Sequence, residues 1–142
     1  METKVLLVDD EEQFVEILSG RLETRGFTVA TAFSGDEAIE VLEKQEPDVV
    51  ILDVVMPGQE GIDTLREIKQ LRPLTEVIML TGHGTVDSAI QGMRLGAYDY
   101  LMKPTDTGDL VDKIKNAKHR KTEHEQRIKN AEVERIVQTR GW

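Results

Sequence analysis

The chain has 142 residues, no cysteine, a formal net charge of −9, 39% hydrophobic residues and 32% charged residues. That is about one domain of chain with enough apolar content for a core. It excludes disulfides, and no apolar run reaches the roughly 20 residues that a membrane-spanning helix needs.

The opening METKVLLVDDEE is no signal peptide, because its short apolar stretch runs straight into acids. A cytoplasmic chain with no membrane contact is expected. KVLLV at 4–8 predicts the first strand. Phe14, Ile17, Leu18 and Leu22 then recur at helical spacing, predicting a helix near 11–24 with all four on one face. FTVATA at 27–32 predicts the second strand, and Ser34 with Glu37 forms a capping-box pattern that opens a helix over 35–45, with Ala38, Val41 and Leu42 on its apolar face. DVVILD at 48–53 predicts the third strand, and Ile62, Leu65 and Ile68 the third helix. EVIML at 76–80 and the stripe Val86, Ile90 and Met93 follow as strand and helix. YDYLM at 98–102 and the set Leu110, Val111, Ile114 and Ala117 form the last pair. Gly26, Pro47, Pro73 and Gly96 punctuate the joins.

Five such pairs predict an α/β fold, a doubly wound five-stranded parallel sheet with helices on both faces. Strands that are apolar almost throughout suit burial on both sides. The ligand crevice of such a sheet lies at the carboxyl ends of its strands.

Charge divides unevenly along the chain. Residues 1–117 carry 11 Lys/Arg against 23 Asp/Glu, whereas residues 118–142 carry 7 against 4. An acidic domain with a mildly basic tail is a poor nucleic-acid binder, since phosphate neutralisation needs clustered cations. The domain is expected over 1–120, followed by a polar, helical tail or linker over 121–142. The tail's heptad positions (Lys121, Ile128 and Arg135; Ala117, His124, Ala131 and Gln138) are polar for a coiled coil, which favours a solvated helix over a dimer contact.

Chemistry gathers at the strand ends. The first strand ends in Asp9-Asp10, the third in Asp53, the fourth in Thr81 with His83 behind it, and the fifth in Lys103-Pro104. Taken singly, each has a plain structural reading. Asp9 and Asp10 suit a helix N-terminus, Asp53 a strand-end cap and Thr81 a turn. Lys103 suits solvent, Tyr100 a core and His83 a loop. Their convergence on one sheet edge points elsewhere. Two unit charges about 4 Å apart at an effective dielectric near 20 repel by roughly 4 kcal/mol, so three clustered carboxylates require raised pKa values or a cation. Oxygen-only ligands suit a hard divalent ion, Mg2+ first, or Mn2+. Three carboxylates, Lys103 and one such ion sum to about zero, leaving a site able to accept a phosphoryl group, with a carboxylate as nucleophile.

The pieces VLLVDDEE (5–12), DVVILDVVMPGQEG (48–61), VIMLTGHG (77–84) and GAYDYLMKP (96–104) together resemble bacterial two-component response-regulator receiver domains over about residues 3–120. The stretch TGHGTVDSAIQGMRLGAYDYLMKP is similar to receivers of the nitrogen-regulator type. The resemblance implies a flavodoxin-like strand order 2-1-3-4-5, the order that the family's chemotaxis regulators exemplify. It implies Asp53 as phosphoacceptor; Asp10, Asp53 and the Val55 backbone carbonyl as metal ligands, with Asp9 through water; Thr81 and Lys103 as partners of the phosphoryl group; Tyr100 as the switch aromatic; and a cis bond before Pro104. It also implies a histidine kinase or phosphotransfer protein as donor. The responding face is that of the fourth helix, fifth strand and fifth helix, open to a homodimer or another partner. Val55 and His83 depart from the commoner choices at two positions that border the hydrolytic water, so they are expected to tune phosphoryl lifetime.

Three other readings compete. A metal-dependent phosphatase with an aspartyl nucleophile usually carries an acid two residues on, where Val55 stands. A flavodoxin-like cofactor binder needs a Ser/Thr/Gly-rich loop after the first strand, where VDDEEQ would repel phosphate. A phosphorylation-independent interaction module would not need the whole acidic set. The expected role is a signalling domain, not an enzyme.

Overall fold

The computed structural model describes residues 2–54, 60–82 and 85–139. The elements follow in the order β1 (Lys4–Val8), α1 (Glu12–Thr24), β2 (Thr28–Ala32), α2 (Gly35–Lys44), β3 (Val49–Leu52), α3 (Glu60–Leu71), β4 (Glu76–Thr81), α4 (Val86–Arg94), β5 (Asp99–Met102) and α5 (Thr107–Thr139). All strand pairs are parallel, in the order β2-β1-β3-β4-β5. Compared with the predicted spans, Phe27, Asp48, Asp53 and Tyr98 fall just outside their strands, and Thr81 falls inside β4.

The period-2 geometry of strands divides their side chains between two cores. Val5, Leu7, Val49, Ile51, Ile78 and Leu80 pack against α1 and α5. Leu6, Val8, Val50, Leu52, Val77 and Met79 face the other way, toward α2 and α3. Burial on both sides, as predicted, holds fully for β3 and β4 and for β1 apart from Lys4; the edge strands β2 and β5 are only partly covered.

One helix face differs from expectation, and another points in a direction that apolar spacing leaves open. In α1 the buried residues are Val15, Leu18 and Leu22, while Ile17 is 58% exposed and Phe14 sits at the margin. At about 100° per residue Val15, Leu18 and Leu22 share one narrow arc, and Ile17 lies well outside it. In α4 the apolar stripe points outward: Val86, Ile90 and Met93 are 76%, 45% and 45% exposed, and only Gly92 is buried. A Cβ at Gly92 would collide with the Met79 thioether, so the helix approaches the sheet through its one residue without a side chain.

Capping also differs in detail. The Ser34 hydroxyl accepts from the Glu37 N–H, but the Glu37 carboxylate accepts from the Phe33 N–H, so the predicted box is completed one residue early. A full reciprocal box closes instead at Thr85 and Ser88, opening α4. The last helix continues unbroken through the expected boundary at 120, as far as Thr139. Among the described residues, no helix is long and apolar enough to cross a membrane.

Candidate phosphoacceptor site

Strand order reverses direction between β1 and β3, and that switch point opens a crevice beyond their carboxyl ends. Register sets its floor. Val8 pairs with Leu52, so Asp9 and Asp53 emerge side by side. The Asp53 N–H donates to the Val8 carbonyl at 3.0 Å, and the Asp9 N–H to the Ala32 carbonyl at 3.1 Å. Thr81 pairs with Met102, and the Lys103 N–H donates to the Thr81 carbonyl at 2.8 Å, which brings the lysine to the same edge. Behind Asp53, Gly61 packs against the Val54 backbone so closely that any Cβ would overlap it. The glycine that ends the DVVILDVVMPGQEG piece therefore lets α3 close against the end of β3.

Asp9, Asp10 and Asp53 each offer one carboxylate oxygen, and these oxygens all lie within 4.8 Å of one another. Asp9 and Asp53 are buried, and Asp10 is exposed. Lys103 reaches across from the far side. Its Nζ donates to Asp9 Oδ2 at 2.6 Å and to Glu11 Oε1 at 3.2 Å, and lies 3.7 Å from Asp53 Oδ2. It also sits 4.0 Å above the centroid of the Phe14 ring, a cation–π contact that confines the ammonium. The Lys103–Pro104 peptide is cis.

Electrostatics set the character of the site. Burial raises the Asp9 carboxyl above its ordinary value, despite the bonds from Lys103 and the Glu11 N–H. Burial pulls the Lys103 ammonium down, but its bond to Asp9 and its neighbours Glu11 and Asp53 outweigh this and hold it above its ordinary value. The two shifts differ in sense because burial dominates at Asp9, while three carboxylates act together on Lys103. One ammonium does not neutralise three clustered carboxylates. An all-oxygen donor set with surplus negative charge fits a hard divalent cation such as Mg2+.

Thr81, at the end of β4, is fully buried. Tyr100 is partly buried against the α2–α3 core, with its hydroxyl 3.4 Å from Ser88 Oγ at the start of α4. The crevice thus brings together Asp9, Asp10, Asp53 and Lys103, with Thr81 at its edge and Tyr100 set back toward α4. Val55, expected to be a carbonyl ligand and a lifetime residue, and His83, expected to be a lifetime residue, lie outside the described residues. Glu11 and Phe14, the further partners of Lys103, escape sequence reading. Glu11 is visible there only as one more acid after the pair, and nothing local marks Phe14 as a platform for a residue 89 positions away. Ser88 has a local signal: it stands three residues after Thr85.

The family model for the response regulator receiver domain matches residues 5–115. Among solved structures, a receiver domain protein from Clostridium thermocellum is 43% identical with a TM-score of 0.79, covering 84% of this chain and 97% of that one. A CheY-like receiver domain protein from Methanospirillum hungatei JF-1 is 27% identical with a TM-score of 0.83, covering 87% and 99%. NtrX from Brucella abortus is 31% identical with a TM-score of 0.82; it covers 89% of this chain, which spans only 29% of that protein.

Proposed function

The chain belongs to the response regulator receiver domain family, and from that premise we propose that it is a phosphorylation switch of a two-component pathway, with Asp53 as the phosphoacceptor. One observation carries the reading. Asp53 is buried at the end of β3 with the Asp9 and Asp10 oxygens within 4.8 Å and the Lys103 ammonium 3.7 Å away. That is a nucleophile held beside its charge compensation.

The donor is the phosphohistidine of a kinase or phosphotransfer protein. An Asp53 carboxylate oxygen attacks phosphorus, the P–N bond breaks, and the departing imidazole takes up a proton. Asp9, Asp10 and Asp53 would hold Mg2+, with the Val55 carbonyl completing the protein ligands. When bound, the ion neutralises oxygens of the transferred group. Lys103 exchanges part of its bonding to Asp9 for the new phosphoryl oxygens, and the Thr81 hydroxyl donates to another. Tyr100 then leaves Ser88 and repacks toward the space Thr81 has crossed, which couples a local charge change to α4. Water later attacks phosphorus, the Asp53–phosphorus bond breaks, and the carboxylate returns. Val55 and His83 set how fast. This is self-modification by a signalling domain, with no turnover of an external substrate.

Output runs through α4, β5 and α5. The outward Val86, Ile90 and Met93 of α4, with Met102 of β5, leave apolar surface there for a second copy or another partner. Measuring mass in solution before and after phosphorylation tests the homodimer; an unchanged monomer assigns the face to a different partner. For the switch itself, the full chain is incubated with acetyl phosphate and Mg2+ and weighed intact. One phosphoryl adduct in the wild type and none in Asp53→Asn is expected. No adduct in the wild type, or an undiminished one in the variant, overturns the reading.

A further inference from the structure

The opposite edge of the sheet carries a second charge cluster, whose α5 cations lie beyond the family match at 5–115. Asp48, just before β3, is buried, and so is Glu76, the first residue of β4. Buried carboxylates cost several kcal/mol each unless paired and hydrogen-bonded. Here α5 supplies the pairing. Lys118 Nζ donates to Asp48 Oδ1 at 2.8 Å and Lys121 Nζ to the same oxygen at 3.2 Å, while the Lys4 N–H donates to Oδ2 at 2.8 Å. Arg120 Nε pairs with Glu76 Oε2, whose other oxygen lies 3.8 Å from Lys69 Nζ. The Arg120 guanidinium also lies 4.6 Å from the centroid of the Tyr98 ring, just before β5. One turn of helix is therefore fastened to the starts of β3, β4 and β5.

Helical geometry makes this turn a clamp. At about 100° per residue, Ile114, Ala117 and Lys121 form one buried ridge, with Lys118 and Arg120 flanking it on opposite sides. Lys121 continues the ridge as a charge: its side chain is only 6% exposed, and it also pairs with Glu125 at 3.4 Å. Beyond it, every residue from Glu125 to Thr139 is exposed, yet the helix continues. Helix initiation is the costly step and extension is cheap, so a fastened turn can support a projecting segment. Residues 122–139 would extend about 27 Å at 1.5 Å per residue.

We propose that Asp48 and Glu76, gripping Lys118, Arg120 and Lys121, make the 118–121 turn an integral part of the domain and hold residues 122–139 as a rigid arm whose direction is set by the sheet. The arm's reference is the end of the sheet remote from Asp53.

Because the chain has no cysteine, spin labels at Glu40→Cys on α2 and Glu134→Cys on the arm can report their separation in the full protein by pulsed electron resonance. A single narrow distance distribution is expected. Asp48→Asn strips Lys118 and the buried Lys121 of their acceptor and endangers the fold, so the test variant is Lys118→Gln/Arg120→Gln, which removes two partly exposed cations. It should lose the narrow distribution while circular dichroism retains the helix content. A broad distribution in the parent, or a narrow one that survives in the variant, overturns the proposal. No phosphodonor is used, so the outcome is independent of the switch reading.

Discussion

The two ends of the sheet handle buried carboxylates in opposite ways. At the carboxyl ends of the strands, Asp9, Asp10 and Asp53 cluster, with one ammonium beside Asp9 and Asp53, and negative charge is in surplus. At the amino ends, Asp48 and Glu76 meet Lys69, Lys118, Arg120 and Lys121, and every buried charge has an opposite partner. A surplus is a liability for folding and an asset for binding, because a cation or a transferred group relieves it. A balanced cluster adds nothing for a ligand but holds the chain in one place. The same residue types thus serve a site at one end and a fastening at the other, according to how many cations reach them.

The contrast can be broken by neutralising one acid at each end. Asp48→Asn should lower the free energy of unfolding by about 3–5 kcal/mol, the usual cost of leaving buried partners uncompensated, measured by urea denaturation. Asp10→Asn should leave metal-free stability unchanged or raise it, since it removes a like charge from the crevice. The same variant should weaken Mg2+ binding more than about tenfold, about 1.4 kcal/mol, by calorimetry. Equal destabilisation by both substitutions would erase the distinction between the two ends.

Mild acid probes the fastened end with a smaller effect. Burial pushes the Asp48 carboxyl up, but its bonds from Lys118, the Lys4 N–H and Lys121 outweigh this and hold it below its ordinary value of 3.8. A carboxyl depressed in the folded state contributes stability that is fully present above about 3.8 and is lost as pH falls through the folded value. The facing Lys121 stays cationic in that window: burial pulls its ammonium down, but Asp48, Glu125 and Glu46 outweigh this and hold it above its ordinary value. Acid titration of the melting temperature should therefore show a stability loss below about pH 4 that shrinks in Asp48→Asn. An identical acid limb in the variant would remove Asp48 from the account.

Much of this molecule is legible residue by residue. Short apolar runs and helical spacing are local patterns, and they place the five strands and the first two helices within a residue or two and mark the other three helices, because strand and helix periodicities are properties of the backbone. The acids, hydroxyl and lysine at successive strand ends are equally local, and parallel pairing carries them to one edge. Tertiary contacts decided the rest. The α4 stripe marks a helix in the sequence, but its outward placement is decided by packing, with Gly92 set against Met79. Periodicity locates an apolar face but does not say what meets it. The tail reads as mildly basic, yet Lys118, Arg120 and Lys121 are consumed by Asp48 and Glu76, leaving residues 122–142 with four Lys/Arg and four Asp/Glu. Those partners lie 44 to 73 positions away. No local pattern encodes such pairs; they exist because the folded sheet brings the starts of β3 and β4 under one turn of α5.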